Sequence, residues 1–190
     1  MPVIRYISDL HFDHANVIKF DNRPFETIEE MNAELIRRWN ETVAKDDITY
    51  IIGDFCWYTA DRWEELLKQL NGNKVIIRGN HDLKQPPAKI KRLVQDYTDY
   101  KEITDNYRHV ILCHYPIPFY KGSYAPWTFM LCGHVHNTRE NDFLQSLRKE
   151  LISTCTAKGH NRGNIFNCWC GFYDYRPVTL DELIEYWKYH

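Results

Sequence analysis

No stretch of this 190-residue chain approaches the roughly 20 consecutive apolar residues that a membrane-spanning helix needs; the longest aliphatic runs are Ile51-Ile52 behind Ile48-Thr49-Tyr50, and Val110-Ile111-Leu112-Cys113. A bilayer partner is therefore not expected. An excess of charge is missing as well. Lys and Arg number 24 against 26 Asp and Glu, and a net charge of -2 creates no whole-molecule field to hold nucleic acid or an anionic membrane. Any anion must be bound locally. Glycine and proline are sparse, at 8 each, and no Gly/Ser/Pro-rich linker or internal repeat divides the chain. The opening Met1-Pro2-Val3-Ile4-Arg5-Tyr6 has neither a basic n-region nor an apolar h-region, so the expected location is the cytoplasm. The six cysteines include Cys168-x-Cys170 but no second thiol pair at zinc-site spacing, and in this setting they read as reduced core thiols. What is present, 44% apolar, 15% aromatic and 26% charged residues, is enough to bury a core, and residues 1–190 are expected to form one domain.

Short apolar runs at residues 3–7, 48–52, 75–77, 110–113 and 129–132 are too brief for helices and read as buried strands. Between them, Thr27-x-x-Glu30 is a capping-box signal followed by Met31, Leu35, Trp39 and Val43 at four-residue intervals, which predicts an amphipathic helix. Asp61-x-x-Glu64 opens a second, carrying Trp63, Leu66, Leu67 and Leu70 and stopped by Asn71-Gly72-Asn73. A weaker helical pattern covers residues 88–97, and Thr179-x-x-Glu182 caps a last helix. Residues 151–153 and 165–169 read as further strands, with antiparallel pairing open to them. Strands alternating with helices predict an α/β layered fold.

Directly after the predicted strands come Asp9-Leu10-His11, Gly53-Asp54, Gly79-Asn80-His81-Asp82, Cys113-His114 and Gly133-His134-Val135-His136. Each cluster sits at a strand's C-terminal end, the edge of an α/β sheet where loops converge on ligands. Taken singly, an Asp-x-His or a Gly-Asp arises as loop capping; five such clusters in order are a mixed oxygen and nitrogen ligand set suited to divalent transition ions.

That order, Asp-x-His, Gly-Asp, Gly-Asn-His-Asp, His, Gly-His-x-His, resembles the calcineurin-like metallophosphoesterase superfamily over about residues 6–137, and Tyr175-Arg176-Pro177-Val178 before the last helix is similar to its small bacterial and phage members. The resemblance implies an αββα sandwich of two mixed sheets flanked by helices, around a centre of two divalent ions. One ion would be held by Asp9, His11, Asp54 and His136, the other by Asp54, Asn80, His114 and His134, with Asp54 bridging. These ligands would accept Mn²⁺, Fe, Zn²⁺ or Ni²⁺. His81 corresponds to the histidine that touches the substrate or protonates its leaving group, and Asn80 lies beside it. One departure stands out: many relatives carry a second acid three residues beyond the bridging Asp, orienting that histidine, and Trp57 occupies this position here.

The implied reaction is hydrolysis of a phosphate ester by a hydroxide held between two cations, with a nucleotide-like small molecule as the substrate class. No cation follows Asp54 in Phe55-Cys56-Trp57-Tyr58-Thr59-Ala60, which favours monoanionic diesters over dianionic monoesters. Arg23 and Arg139 are the candidates to reach the phosphate, and His14 is a candidate for the mouth of the site. Three rival readings use the same residues or fold: a phosphomonoesterase, a nuclease guided by Lys84, Lys89, Lys91 and Arg92, and a non-catalytic protein-binding scaffold. Tyr115, Phe119, Tyr120, Tyr124, Trp127 and Phe129 form an aromatic loop that either covers the site or packs on itself. Oligomeric state is not legible in the residues.

Overall fold

A computed structural model describes residues 2–156 and 163–190. Strands β1 (Ile4–Ile7), β2 (Ile48–Ile52), β3 (Asn73–Ile77) and β4 (Asp96–Thr98) form one sheet in the order β1-β2-β3-β4, all parallel. A second sheet runs β5 (Tyr100–Asp105), β6 (Arg108–Cys113), β7 (Thr128–Cys132) and β8 (Ile165–Asn167), with β5 and β6 antiparallel and the remaining pairs parallel. Of the two mixed sheets expected, one is parallel throughout its ladders. The helices are α1 (Ala15–Phe20), α2 (Ile28–Thr42), α3 (Ala60–Gln69), α4 (Ala88–Lys91), α5 (Arg139–Thr156) and α6 (Leu180–Tyr189), with a 3₁₀ turn over Cys170–Tyr173.

The two-residue period of the strands sorts their side chains into layers. Ile7, Ile51 and Ile76 face a cluster with Met31, Leu35 and Trp39 of α2 and Trp63, Leu66 and Leu67 of α3. Their neighbours Tyr6, Tyr50, Ile52, Val75 and Ile77 turn the other way and meet Val110, Leu112, Phe129 and Leu131 of the second sheet. On that sheet's outer face, Ile111, Met130 and Cys132 pack with Leu144 of α5. Helices, sheet, sheet and helix thus stack as an αββα sandwich.

Local signals placed most boundaries. The Thr27 hydroxyl accepts from the Glu30 N–H, and Thr179 with Glu182 makes a complete capping box. Four expectations need correction. The helix predicted from Asp61 starts at Ala60 behind Thr59, whose extended backbone makes the turn one step earlier. The pattern over residues 88–97 divides, because Asp96–Thr98 finds hydrogen-bonding partners along β3. Residues 151–153 are helical, since Leu144, Leu151 and the buried Arg148 lie on one face of α5. Strand β8 pairs parallel with β7. Five cysteines, Cys56, Cys113, Cys132, Cys168 and Cys170, are free thiols as expected; the Cys155 side chain lies outside the described ones.

Candidate metal centre

Past its last ladder residue, β1 continues beside the exit of β2: the Asp9, His11 and Phe12 amides donate to the Gly53, Asp54 and Phe55 carbonyls at 3.0, 2.9 and 2.9 Å. Leu10 and Phe12 drop into the core, which leaves Asp9 and His11 facing the sheet edge. Five candidate ligands sit in the left-handed region, Asp9 (φ 56°), His11 (52°), Asp54 (53°), His134 (70°) and His136 (42°). That conformation costs L-residues about 1–3 kcal/mol each, and its concentration at one edge marks a functional site. Gly79 is required by closeness alone, because a Cβ there would overlap the Asp54 carboxylate and amide.

The ligand atoms of Asp9, His11, Asp54 and His136 all lie within 4.8 Å of one another. His136 Nε2 is 3.3 Å from Asp9 Oδ1 and 3.2 Å from His11 Nε2, and Asp54 Oδ2 is 3.6 Å from His11 Nε2. The same Asp54 oxygen is 3.5 Å from His114 Nε2, which in turn is 3.0 Å from Asn80 Oδ1. Asp54 therefore stands between the two predicted ligand groups. His134 lies alongside, its ring 5.1 Å from His114 and 4.6 Å from Tyr115, while its amide donates to Asp9 Oδ1 at 3.0 Å.

The donor set fits divalent cations. His136 Nδ1 is 2.7 Å from Asp21 Oδ1 and His114 Nδ1 is 3.0 Å from the Ile52 carbonyl, so each Nδ1–H is spent and each Nε2 lone pair faces the cluster. Two imidazole nitrogens 3.2 Å apart repel unless a proton or cation lies between them. Burial works to lower His136, but the Asp9 and Asp21 carboxylates outweigh it and raise the imidazole to about 10. Burial likewise opposes ionisation of Asp9, yet His136, His114 and His11 hold its carboxyl below the ordinary value. Burial carries His11 well below its ordinary value against the pull of Asp9. Positive charge is drawn to the point between these groups, where a metal ion would replace the shared proton.

Sequence reasoning assigned no role to two further residues. Asp82 is buried, and its carboxylate accepts from the Asp54, Phe55 and Gly79 amides at 2.9, 2.8 and 2.8 Å, locking the β2 and β3 exits together; burial pushes it up to about 7. Asp21 orients His136 from outside any ligand motif, and only its place beside Arg23 distinguishes it in the sequence.

Arg23 is a correction. Its guanidinium is buried, donating to the Leu10 and Asp9 carbonyls at 2.9 Å each and to Asp21 through Nε and Nη2, so its donors are committed to the protein. Arg139 begins α5 and lines a neighbouring apolar cleft with Tyr115, Pro118, Phe143 and Leu147. His14 lines a cavity of about 520 Å³ bounded by His11, Phe20, Asp54, Trp57, His81, His134 and His136. His81 is exposed at its mouth, and its amide donates to Asp54 Oδ1 at 3.0 Å. The aromatic loop divides: Tyr120 and Phe129 are buried, whereas Tyr115, Phe119, Tyr124 and Trp127 are exposed and of these only Tyr115 reaches the ligand histidines. Lys89 is engaged with Asp61 and Glu64 of α3, as on a solvated helix face.

A two-sheet α/β sandwich with carboxylates and imidazoles converging at its strand ends defines a class of metal-site proteins. The chain belongs to the calcineurin-like phosphoesterase family, whose model matches residues 3–189. It is 35% identical over 187 residues to the uncharacterized protein MJ1445 of Methanocaldococcus jannaschii, covering 97% of this chain and 91% of that one. The Gene 66 protein of Mycobacterium phage L5 is 32% identical over 84 residues, 43% of this chain and 40% of its own. A solved protein of unknown function, AQ665 from Aquifex aeolicus, shares the fold at a TM-score of 0.69 and 22% identity, covering 97% of this chain and 99% of that chain.

Proposed function

We propose that this chain is a dinuclear metal-dependent phosphoesterase that prefers phosphodiesters. The observation that carries the reading is the convergence of the Asp9, His11, Asp54 and His136 ligand atoms within 4.8 Å, with Asp54 shared toward His114 and Asn80. Asp9, His11, Asp54 and His136 would hold one ion, and Asp54, Asn80, His114 and His134 the second. Two divalent cations there, Mn²⁺, Fe, Zn²⁺ or Ni²⁺, would lower the pKa of water and neutralise charge developing on the phosphoryl oxygens. Asp21 and the Ile52 carbonyl keep the His136 and His114 rings in their ligand tautomers. His81, at the cavity mouth, and the exposed Asn80 next to it would face the substrate phosphate. As the water oxygen adds to phosphorus and yields its proton to solvent, the ester P–O bond would break and a proton from the His81 ring would pass to the departing oxygen, the ring regaining one from solvent.

Diester preference follows from the walls. Among the described residues, no Lys or Arg lines this cavity, and the Arg78 guanidinium, in the neighbouring cleft with Lys84, Asn80 and His114, is engaged by Asp99, which argues against a guanidinium fork for a dianionic monoester. Phe20, exposed on the wall, offers a flat apolar face to a nucleotide-like substrate. The free thiols suit a reducing compartment, and we assign the enzyme to the cytoplasm. The test is kcat/KM for bis-p-nitrophenyl phosphate against p-nitrophenyl phosphate, with protein stripped and reloaded with each metal in turn. A diester advantage is expected; a monoester advantage would make it a phosphomonoesterase, and no turnover with any metal would leave the scaffold reading.

A further inference from the structure

His81 stands at the mouth of the site, and among the described residues no side chain hydrogen-bonds its ring. An indole takes the vacant role. The Trp57 ring lies 4.3 Å from that of His81 at an interplanar angle of 47°, and 4.3 Å from that of His14 at 11°, a parallel stack. His11 closes the cluster, 5.4 Å from His14 and 5.7 Å from His81. Trp57 is anchored from behind: its amide donates to the Phe12 carbonyl at 3.0 Å, next to the Phe12–Cys56 bridge and above the buried Phe12 and Phe55. His14 Nδ1 is buried without a hydrogen-bond partner, so the stack, not a polar contact, holds that ring. Trp57 remains 44% exposed, and core packing does not account for a large ring kept at the rim of the cavity.

We propose that Trp57 is a positioning residue that, braced by His14, holds the His81 imidazole toward the metal centre by ring contact in place of a hydrogen bond. A flat indole against an imidazole restricts both side-chain torsions of the histidine while leaving its two nitrogens free. The kinetic consequence rests on the phosphoesterase reading; the conformational one does not.

The variants are Trp57→Leu, which removes the aromatic face, Trp57→Phe, which keeps one, His81→Ala, and Trp57→Leu combined with His81→Ala. In proton NMR spectra of metal-free and Zn²⁺-loaded protein, His81 ring resonances, assigned by their loss in His81→Ala, are expected upfield of free imidazole. Trp57→Leu should abolish the displacement and Trp57→Phe should retain part of it. With alkyl leaving groups, His81→Ala should lose about a hundredfold in kcat and Trp57→Leu roughly tenfold at unchanged KM. In the His81→Ala background, Trp57→Leu should cost nothing further, as expected of two residues acting as one unit. Undisplaced His81 resonances in the wild type would overturn the proposal. So would equal Trp57→Leu losses in both backgrounds, or a rise in KM alone, which would make Trp57 a surface for stacking substrate. If the wild type hydrolyses no ester, the phosphoesterase reading falls and the resonances alone decide the role of Trp57.

Discussion

Replacing Arg23 with alanine separates two roles that the sequence leaves equivalent. A phosphate-binding arginine at the rim could be removed with little effect on folding, whereas the structure shows a guanidinium whose side chain is 0% exposed, paired with an Asp21 side chain that is 5% exposed. Truncation leaves the Asp21 carboxylate with His136 as its remaining partner and the Asp9 and Leu10 carbonyls without their 2.9 Å donors. Breaking a buried ion pair from one side costs about 3–5 kcal/mol, and we take about 4 kcal/mol for the site as a whole. For a chain of this size each kcal/mol moves Tm by roughly 2–4 °C, so Arg23→Ala should melt roughly 8–16 °C below the wild type. Asp21, freed of the guanidinium on its Oδ2, also holds His136 through Oδ1 less firmly, and since loss of such an outer hydrogen bond lowers metal affinity about 10–100-fold, a weakening within that range is expected. Calorimetry of the metal-free protein and metal titration measure the two effects separately. An Arg23→Ala protein that melts within a degree or two of the wild type, binds metal normally and shows only a raised KM would refute the anchoring argument and restore Arg23 to the substrate.

Asp54→Asn should abolish turnover and reduce bound metal at both positions, because the Asp54 carboxylate faces His11 and His114 alike; Asp9→Asn should disturb mainly one. Elemental analysis of the purified variants decides this, and two retained equivalents in Asp54→Asn would contradict a shared carboxylate. Gly79→Ala is expected to lose metal binding and stability together, since its Cβ has no room beside Asp54; a variant with unchanged metal titration and melting curve would show that the β2 and β3 exits can separate. Titration of the denatured, unreduced protein should find Cys56, Cys113, Cys132, Cys168 and Cys170 all reactive, and a shortfall of two thiols among them would reveal a bridge.

Both sheets' main strands and three of the helices were legible because they are written in local chemistry: short β-rich runs, threonine caps and a 3.6-residue apolar stripe. The candidate ligands were legible for a related reason, each polar cluster following a strand whose end faces the same edge. Local pattern was silent or misleading where a contact distant in sequence decides the outcome. Asp96–Thr98 became a strand by pairing with β3, and residues 151–153 stayed helical because their face of α5 covers the second sheet. The same holds at the site. Residue types and order nominate the strand-end clusters, and the family resemblance they carry implies Asp9, His11, Asp54, Asn80, His114, His134 and His136 among them. Only the tertiary structure turned Arg23 inward beneath Asp9, set Asp21 behind His136 and Asp82 beneath Asp54, and laid Trp57 against His81. The capacity to ligate belongs to a side chain's own atoms and shows in the order of such residues along the chain, whereas orientation depends on which groups folding brings within about 3 Å of it.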